Sequence, residues 1–338
     1  MKYSERGIKI KFIIMILVFI FVFIGSFGVG RYPVPIWLIP KILLSKFVDV
    51  NTTWVREMET VVLLVRPPRI FAAVLIGAAL STAGAVYQGL FRNPMVSPEV
   101  LGASSGAGFG AALGIIMAAG YFRITIYSFT FGLIAVALTY MISARSKLNR
   151  TLSLVLAGIM IGSIFSSLIS YIKLVADPLN DLPAITYWLM GSLASIRPRD
   201  LYFVFIPILL GLIPLVLLRW RINILTMGDE EAKSMGVDTG LLRLITIVCA
   251  TLITAASVSV SGMIGWIGLV IPHFARLIVG YDYKVLIPAS ILLGSTYLLI
   301  VDDIARILTT SEVPLGILTS LVGAPVFILL LLREDIAR

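Results

Sequence analysis

The uncharged stretch FIIMILVFIFVFIGSF, from Phe12 to Phe27, decides the class of fold. It follows the basic residues Lys2, Arg6, Lys9 and Lys11. The run is too long for the apolar region of a cleavable signal peptide, and it has no clear small-residue cleavage site. It therefore predicts a retained first transmembrane helix.

The rest of the chain has the same composition. Hydrophobic residues make up 59% of the 338 residues and charged residues 13%, against roughly 25% charged in an ordinary soluble domain. A soluble protein of this length could not bury so much apolar surface, so part of it must face lipid. At about 20 residues per crossing, we expect an all-α, polytopic membrane protein that forms one transmembrane domain over 1–338.

The predicted spans lie near 10–30, 69–91, 100–119, 121–142, 152–175, 201–218, 243–262, 263–279, 285–301 and 313–332. The apolar segment Leu182–Ser195 is too short for a span and suits a re-entrant or interfacial helix.

Lysine and arginine predict the orientation. With the N-terminus inside, 16 of the 27 Lys and Arg residues fall in inner segments, and six of the remaining 11 lie in the long stretch Arg31–Arg69. Positive residues in short loops favour the cytoplasmic side. Both termini are therefore expected in the cytoplasm, in a multi-pass protein of the cell membrane.

Glycine and proline suggest an internal repeat. Gly84, Pro94 and Gly102 have the same spacing as three residues placed 178 positions later, namely Gly262, Pro272 and Gly280. With ten spans, spans two to five and seven to ten would have opposite orientations, as in the inverted repeats of many transporters. The repeat halves would cover roughly 66–175 and 243–332. Alternatively, these residues only permit close helix packing, and the two explanations are compatible.

Several chemistries are excluded. One cysteine, Cys249, and one histidine, His273, cannot form an internal disulfide or a multi-histidine metal site. No lysine follows a glycine, so there is no P-loop, and neither H-E-x-x-H nor G-x-S-x-G occurs. We expect no catalytic residues, metal or cofactor. The net charge of +9 fits cytoplasmic loops beside anionic lipid better than binding to nucleic acid.

Two polar segments are candidates for contact with partners. In the cytoplasmic loop 219–242, Thr226 or Asp229 could cap a short helix that Gly236 ends. Such a helix is either a docking element or a plain connection along the membrane surface. On the predicted outer side, Arg66, Arg69 and Arg306 lie at span ends, where they either snorkel to lipid headgroups or meet carboxylates of an external partner. The neighbouring Asp302 and Asp303 are expected to be solvated.

The chain resembles a known family from residue 66 onward. The segments RPPRIFAAVLIGAALSTAGAVYQGLFRNP (66–94), LGASSGAG (101–108), LAG (156–158), GDEEAKSMG (228–236), GMIGWIGLVIPHFAR (262–276), DIAR (303–306) and EVPLGILTSLVGAPVF (312–327) carry the resemblance. They are similar to the FecCD/BtuC-like permeases of ABC importers for iron-siderophores, haem and cobalamin. The first 60 residues match in hydropathy alone.

The resemblance implies two ten-span chains, most simply a homodimer, with two cytoplasmic P-loop ATPase subunits and an extracytoplasmic binding protein. It places Leu156–Lys173 and Leu315–Leu329 along the pathway. It implies a cytoplasmic gate at Asn93, Pro94, Met95, Arg150 and Thr151, and ATPase coupling through Gly228, Asp229, Glu230, Glu231, Ala232 and Gly236. It also implies docking of the binding protein on Arg66, Arg69 and Arg306.

The leading hypothesis is therefore the permease subunit of an ATP-driven importer. A secondary, ion-coupled transporter is the alternative, but acidic residues are scarce at the span centres. A membrane enzyme would need a catalytic constellation that the sequence lacks. An iron-siderophore is the expected substrate, with haem, cobalamin and an oxyanion such as molybdate as further possibilities.

Overall fold

The computed structural model describes residues 5–46, 48 and 51–336, and every regular element in these ranges is a helix. The α-helices are α1 (Glu5–Ser26), α2 (Leu38–Leu44), α3 (Arg56–Thr60), α4 (Arg66–Phe91), α5 (Ala103–Ile116), α6 (Tyr121–Arg145), α7 (Arg150–Val175), α8 (Asp181–Leu189), α9 (Pro198–Leu217), α10 (Arg219–Leu225), α11 (Asp229–Ser234), α12 (Thr239–Ser261), α13 (Ile267–Val279), α14 (Tyr283–Ile307) and α15 (Leu315–Ile336). A π-helical turn, Val61–Val65, joins α3 to α4, and a 3-10 turn, Pro98–Leu101, precedes α5. The all-α prediction is confirmed.

Each predicted span coincides with a helix, but the helices differ in length. Within the described residues, seven are long and apolar enough to cross a membrane, namely α1, the continuous helix Arg56–Phe91 (α3, the π-helical turn and α4), α6, α7, α9, α12 and α14. Shorter apolar helices fill the three remaining positions, as α5, α13 and the part Leu315–Leu329 of α15. At 1.5 Å per residue, the 14 residues of α5 reach about 21 Å, short of the roughly 30 Å hydrocarbon core. The segment 182–195 overlaps only the short helix α8, which has nine residues in all, as the length of the segment predicts.

The two predicted halves interlock through reciprocal packing. Helix α4 of the first half packs on α13 and α14 of the second, while α12 of the second half packs on α5 and α6 of the first. Helices α4 and α12 also contact each other. An exchange of this kind is what a two-fold relation between the halves produces.

The glycine–proline spacing does not mark equivalent positions in these halves. Gly84 lies inside α4, whereas Gly262 follows the last residue of α12. Gly102 precedes α5, whereas Gly280 follows α13. Residues 178 positions apart therefore lie at different places in their helices. For Gly84, the explanation that holds is close packing of helices.

Close backbone contact at glycine sets the position of α4. A Cβ atom built on Gly84 would lie 1.8 Å from the carbonyl oxygen of Gly268 in α13, and one on Gly77 would lie 2.3 Å from the carbonyl oxygen of Gly294 in α14. Backbone cannot move aside as a flexible side chain can. Small residues at these two crossings are therefore required for the helices to approach so closely.

We predict that Gly84→Ala separates α4 from α13 and lowers the stability of the folded chain. Overpacking of this kind typically costs about 1–3 kcal/mol, so the melting temperature of the purified protein in detergent should fall. Gly25→Ala in α1 is the matched control, because a methyl group there meets no atom within 4 Å. Equal melting temperatures for the two variants would contradict the packing argument.

Candidate functional site

The antiparallel packing of α4 and α14 brings the start of one helix beside the end of the other. Arg66 and Arg69 lie in the first turn of α4, where Pro67 and Pro68 are tolerated because these positions need no intrahelical N–H bond. Arg306 lies in the last turn of α14. The three arginines that the sequence singled out therefore meet at one end of the bundle.

Asp302 holds two of these arginines. The Nε and Nη2 atoms of Arg69 each lie 2.8 Å from Oδ1 of Asp302. Arg306 binds Oδ2 of Asp302 through Nε at 2.9 Å and also through Nη2. Arg69 also donates through Nη1 to both carboxylate oxygens of Glu312, at 2.9 and 2.8 Å. Asp302 is 0% exposed and Arg69 is 7% exposed. The expectation of a solvated Asp302 is wrong, because a carboxylate can be buried when charged hydrogen bonds replace its water.

Asp303 and Ser26 extend the same network to α1. The hydroxyl group of Ser26 donates to Oδ2 of Asp303 at 2.5 Å, and Nη2 of Arg306 lies 3.5 Å from Oδ1 of Asp303. Asp303 is therefore also engaged within the chain rather than solvated. Arg66 donates to the backbone carbonyls of Phe27 and Tyr32. Unlike the other two arginines, it has no ion pair with a carboxylate among the described residues. We call Arg66, Arg69, Arg306, Asp302, Asp303 and Glu312 the arginine cluster.

A cavity of about 170 Å³ adjoins the arginine cluster, and Arg31 lines it together with Arg66, Arg69, Arg306 and Glu312. Arg31 is exposed. It donates to the carbonyl oxygens of Arg306 at 3.2 Å and Thr309 at 3.1 Å. Sequence reasoning missed Arg31, because it precedes the motifs and no local pattern marks it. The expected docking residues thus line one cavity, but Arg69 and Arg306 are already paired with carboxylates of their own chain.

The arginine cluster connects to the start of α15. Glu312, which binds Arg69 through its side chain, accepts a hydrogen bond at its carbonyl oxygen from the Tyr187 hydroxyl at 2.9 Å. Beside it, the backbone N–H groups of Leu315 and Gly316 donate to the carbonyls of Gly191 and Met190, at 2.8 and 3.0 Å. The end of α8 and the start of α15 are thus fastened together next to the buried charges.

The expected gate residues lie at the opposite end of α4 and at the start of α7. The Oδ1 atom of Asn93 accepts from the N–H of Met95 at 2.9 Å in an exposed turn that includes Pro94. Thr151 lies in the first turn of α7, and its hydroxyl accepts from Arg243 of α12 at 3.4 Å. The side chain of Arg150 lies outside the described residues. The two segments share one side of the bundle, which is where the gate is predicted.

The expected coupling helix is α11, and its caps differ in part from the prediction. Its N-cap is Gly228, with φ 140°, instead of Thr226 or Asp229. The side chain of Asp229 lies outside the described residues, whereas Glu230 and Glu231 are exposed. Gly236 ends the helix as expected, with φ 76°, and its N–H donates to Lys233 O at 2.9 Å while that of Val237 donates to Ala232 O at 3.0 Å. These two bonds form a Schellman motif.

Ala232 does not lie on the exposed face of α11. It is 0% exposed and packs toward the rest of the chain, whereas Met227 and Met235 on either side of the helix are exposed. A large side chain at position 232 would therefore disturb the seat of α11 on its own chain. The surface that α11 offers to another molecule consists of the flanking residues.

Two side chains of the segment 262–276 pack helices together. The ring of His273 lies 6.4 Å from that of Phe327 in an edge arrangement, and Trp266 lies 6.5 Å from the same ring. Both contacts join α13 to α15. Within the described residues, no three His, Cys, Asp or Glu side chains are grouped so that they could hold a metal ion.

We predict that Arg69→Ala destabilises the fold, because it leaves Glu312 without its ion pair and Asp302 with one partner instead of two. Breaking a buried ion pair costs about 3–5 kcal/mol, and the remaining Arg306 should keep the loss near about 3 kcal/mol. The measurement is the melting temperature of the purified chain. Arg56→Ala, at an exposed position, should change stability by no more than about 0.5 kcal/mol. Similar melting temperatures for both variants would show that the arginine cluster is not structural.

Comparison with known proteins agrees with this architecture. Residues 16–333 match the FecCD transport family. The chain is 39% identical to the molybdate import system permease protein MolB of Haemophilus influenzae, over 89% of each chain. It is 44% identical to a probable iron chelatin transport system permease protein of Helicobacter pylori, over 82% of this chain and 84% of that one. A solved structure described as an inward-facing conformation of a metal-chelate type ABC transporter has a TM-score of 0.85 at 37% identity, covering 96% of this chain and 99% of that one. The chain belongs to the FecCD transport family and is a multi-pass membrane permease of an ABC importer.

Proposed function

We propose that the chain imports a metal chelate, driven by ATP that separate cytoplasmic subunits hydrolyse. The observation that carries this proposal is the family match over residues 16–333 in a chain that has no P-loop of its own. An ABC importer needs an ATPase, so the hydrolysis must belong to partner subunits. The comparisons give no support to a secondary transporter.

The substrate class follows from the relatives rather than from a binding pocket. Their names include iron chelatin and molybdate, and the similar solved structure is described as of the metal-chelate type. We propose an iron-siderophore as the cargo. Uptake of radiolabelled iron supplied as a ferric siderophore, compared with uptake of labelled molybdate in cells that express the whole importer, tests this choice. Uptake of molybdate alone would overturn it.

A second permease chain completes the proposed pathway. Helix α7 exposes Leu156, Ile159 and Met160, and α15 exposes Ile317 and Leu321. These faces lie on the two helices that the family resemblance assigns to the pathway. We propose that two identical chains face each other across these helices.

The proposed orientation has both termini in the cytoplasm. It is supported by the excess of lysine and arginine in the segments that are then inner, which include the exposed Lys147 and Lys233. In this orientation α11 and the turn at Asn93 face the ATPase subunits. The arginine cluster then faces the external binding protein.

The ATPase should bind the surface around α11, with Gly228, Asp229, Glu230, Glu231 and Gly236 forming the helix and its ends. Met235 is 58% exposed, and exposed methionine beside a rigid helix is typical of an interface core. We predict that Met235→Asp reduces retention of the ATPase during purification of the complex by at least about tenfold, which corresponds to about 1.4 kcal/mol. ATP-driven transport should fall with it.

Met117→Asp is the matched control for this variant, because Met117 is 60% exposed at the opposite end of the bundle. Both variants should keep the melting temperature of the chain. Undiminished retention of the ATPase by Met235→Asp would overturn the assignment of α11. Ala232→Arg is a poor test, since Ala232 is buried against its own chain.

The binding protein should dock over the cavity lined by Arg31, Arg66, Arg69 and Arg306. Because Arg69 and Arg306 are paired within the chain, an incoming carboxylate meets Arg31 first. Within the described residues, the guanidinium of Arg31 donates to two backbone carbonyls and to no carboxylate. We predict that Arg31→Glu weakens docking by at least about tenfold at low salt, because attraction becomes repulsion. The loss should shrink at high salt, where charges are screened over about 8–10 Å.

The measurement is the affinity of the reconstituted importer for its binding protein. Arg56→Glu is the control, because it makes the same charge change at an exposed position that does not line this cavity. Equal affinities for the wild type and Arg31→Glu would show that the cavity is not the docking site.

A further inference from the structure

A second basic surface lies where the starts of α6 and α9 meet, away from the arginine cluster. The ring of Phe203 in α9 packs edge-on against Phe122 of α6 at 5.7 Å and against Phe129 at 5.9 Å. These contacts hold the two helix starts side by side. Between them lies a cleft of about 610 Å³, lined by Arg123, Arg197 and Arg199 among others. We call it the α6–α9 cleft.

The α6–α9 cleft keeps an excess of positive charge, with three arginines against one carboxylate. All three arginines are exposed, and among the ion pairs of the described residues none involves them. One carboxylate, Asp200, lines the cleft. Asp200 is buried, and its Oδ2 atom accepts the backbone N–H of Arg197 at 2.8 Å. It therefore caps the start of α9, and its charge acts on Arg197 from beyond ion-pair distance.

Two helix termini add to this charge. The 25-residue α6 starts at Tyr121 and the 20-residue α9 starts at Pro198, both at the cleft. The N-terminal end of a helix carries partial positive charge from its unpaired N–H groups. Guanidinium groups bind phosphate through two parallel hydrogen bonds. The ligand chemistry that fits the α6–α9 cleft is therefore a phosphate ester.

The surface below the cleft is apolar and unpartnered. One turn further along α9, Tyr202, Phe205 and Ile206 are exposed, and Phe122 and Ile126 are exposed on α6. Exposed aromatic residues near helix ends are typical of the membrane interface, and aliphatic residues beyond them face acyl chains. A headgroup held at the arginines would thus have its chains along α6 and α9. A water-soluble protein partner would not reach these exposed apolar residues, because they lie below the arginines on the membrane side of the cleft.

We propose that the α6–α9 cleft is a binding site for an anionic phospholipid, with the headgroup phosphate on Arg123, Arg197 and Arg199. Isolated arginines that snorkel would accept any headgroup. The α6–α9 cleft, with three guanidiniums and two helix starts, favours a lipid with net negative charge. A zwitterionic headgroup also carries a cation, which the positive charge of the cleft repels. The site is independent of the substrate and of the arginine cluster.

The experiment uses the purified permease in nanodiscs made of phosphatidylcholine with a small fraction of phosphatidylglycerol. After transfer to detergent, native mass spectrometry counts the retained lipids. We expect the wild type to retain phosphatidylglycerol over phosphatidylcholine by at least about tenfold, since each basic residue near a surface contributes about a factor of five and the three arginines outnumber the one carboxylate of the cleft. The triple variant Arg123→Gln/Arg197→Gln/Arg199→Gln should lose this preference, and the single variant Arg199→Gln should lose part of it.

The matched control is Lys41→Gln/Lys46→Gln/Arg56→Gln, which removes the same charge from other exposed positions and should retain the lipid. Equal retention of phosphatidylglycerol by the wild type and both Arg→Gln variants would overturn the proposal. Displacement of the lipid by millimolar inorganic phosphate would overturn it too, since the site would then take a free anion. Loss of binding-protein affinity in the triple variant, with lipid retention unchanged, would assign the cleft to the protein partner instead.

Discussion

The backbone crossing of α4 over α13 is the constraint on which the rest of the structure depends. Inside a membrane the lipid tails are as apolar as the side chains, so helices associate through contact area rather than through exclusion of water. Gly84 admits the carbonyl group of Gly268 into the space that a side chain would occupy. This crossing and the one at Gly77 fix two neighbours of α4, namely α13 and α14. The longer of the two, α14, then runs beside α4 to the end of the bundle.

The arginine cluster follows from that geometry. Because α14 lies antiparallel to α4, Asp302 faces Arg69 across the helix pair and Arg306 along its own helix. A carboxylate that is removed from water needs such partners, and two guanidiniums satisfy both of its oxygens. Ser26 ties α1 to the same charges, and Glu312 ties in the start of α15. A shift of α15 at this end must therefore carry Glu312 away from Arg69 or move α4 with it.

The sequence predicts the helices well and their contacts poorly. Hydropathy located the long helices and the short α8, and Gly236 correctly marked the end of α11. Asp302 looked solvated because it lies at the end of an apolar run, and its partner Arg69 is far away in the chain. The face of Ala232 could not be predicted either, since a helix of six residues is too short to show periodicity. Local patterns determine where helices begin and end, whereas burial depends on neighbours distant in sequence.

Burial divides the arginines into two groups: buried arginines that hold the fold together and exposed arginines that are available to bind another molecule. A buried guanidinium is stable only when groups of its own chain replace its water, so Arg69 and Arg306 have little left to offer another molecule. An exposed guanidinium keeps water as its main partner, and a ligand that displaces this water gains the full charged hydrogen bond. By this criterion Arg31 at the cavity and the three arginines of the α6–α9 cleft are the groups available for recognition, although no motif contains them. Arginines inside a family motif can thus be the framework that positions a surface, while arginines outside it keep exposed charge that is available to a ligand.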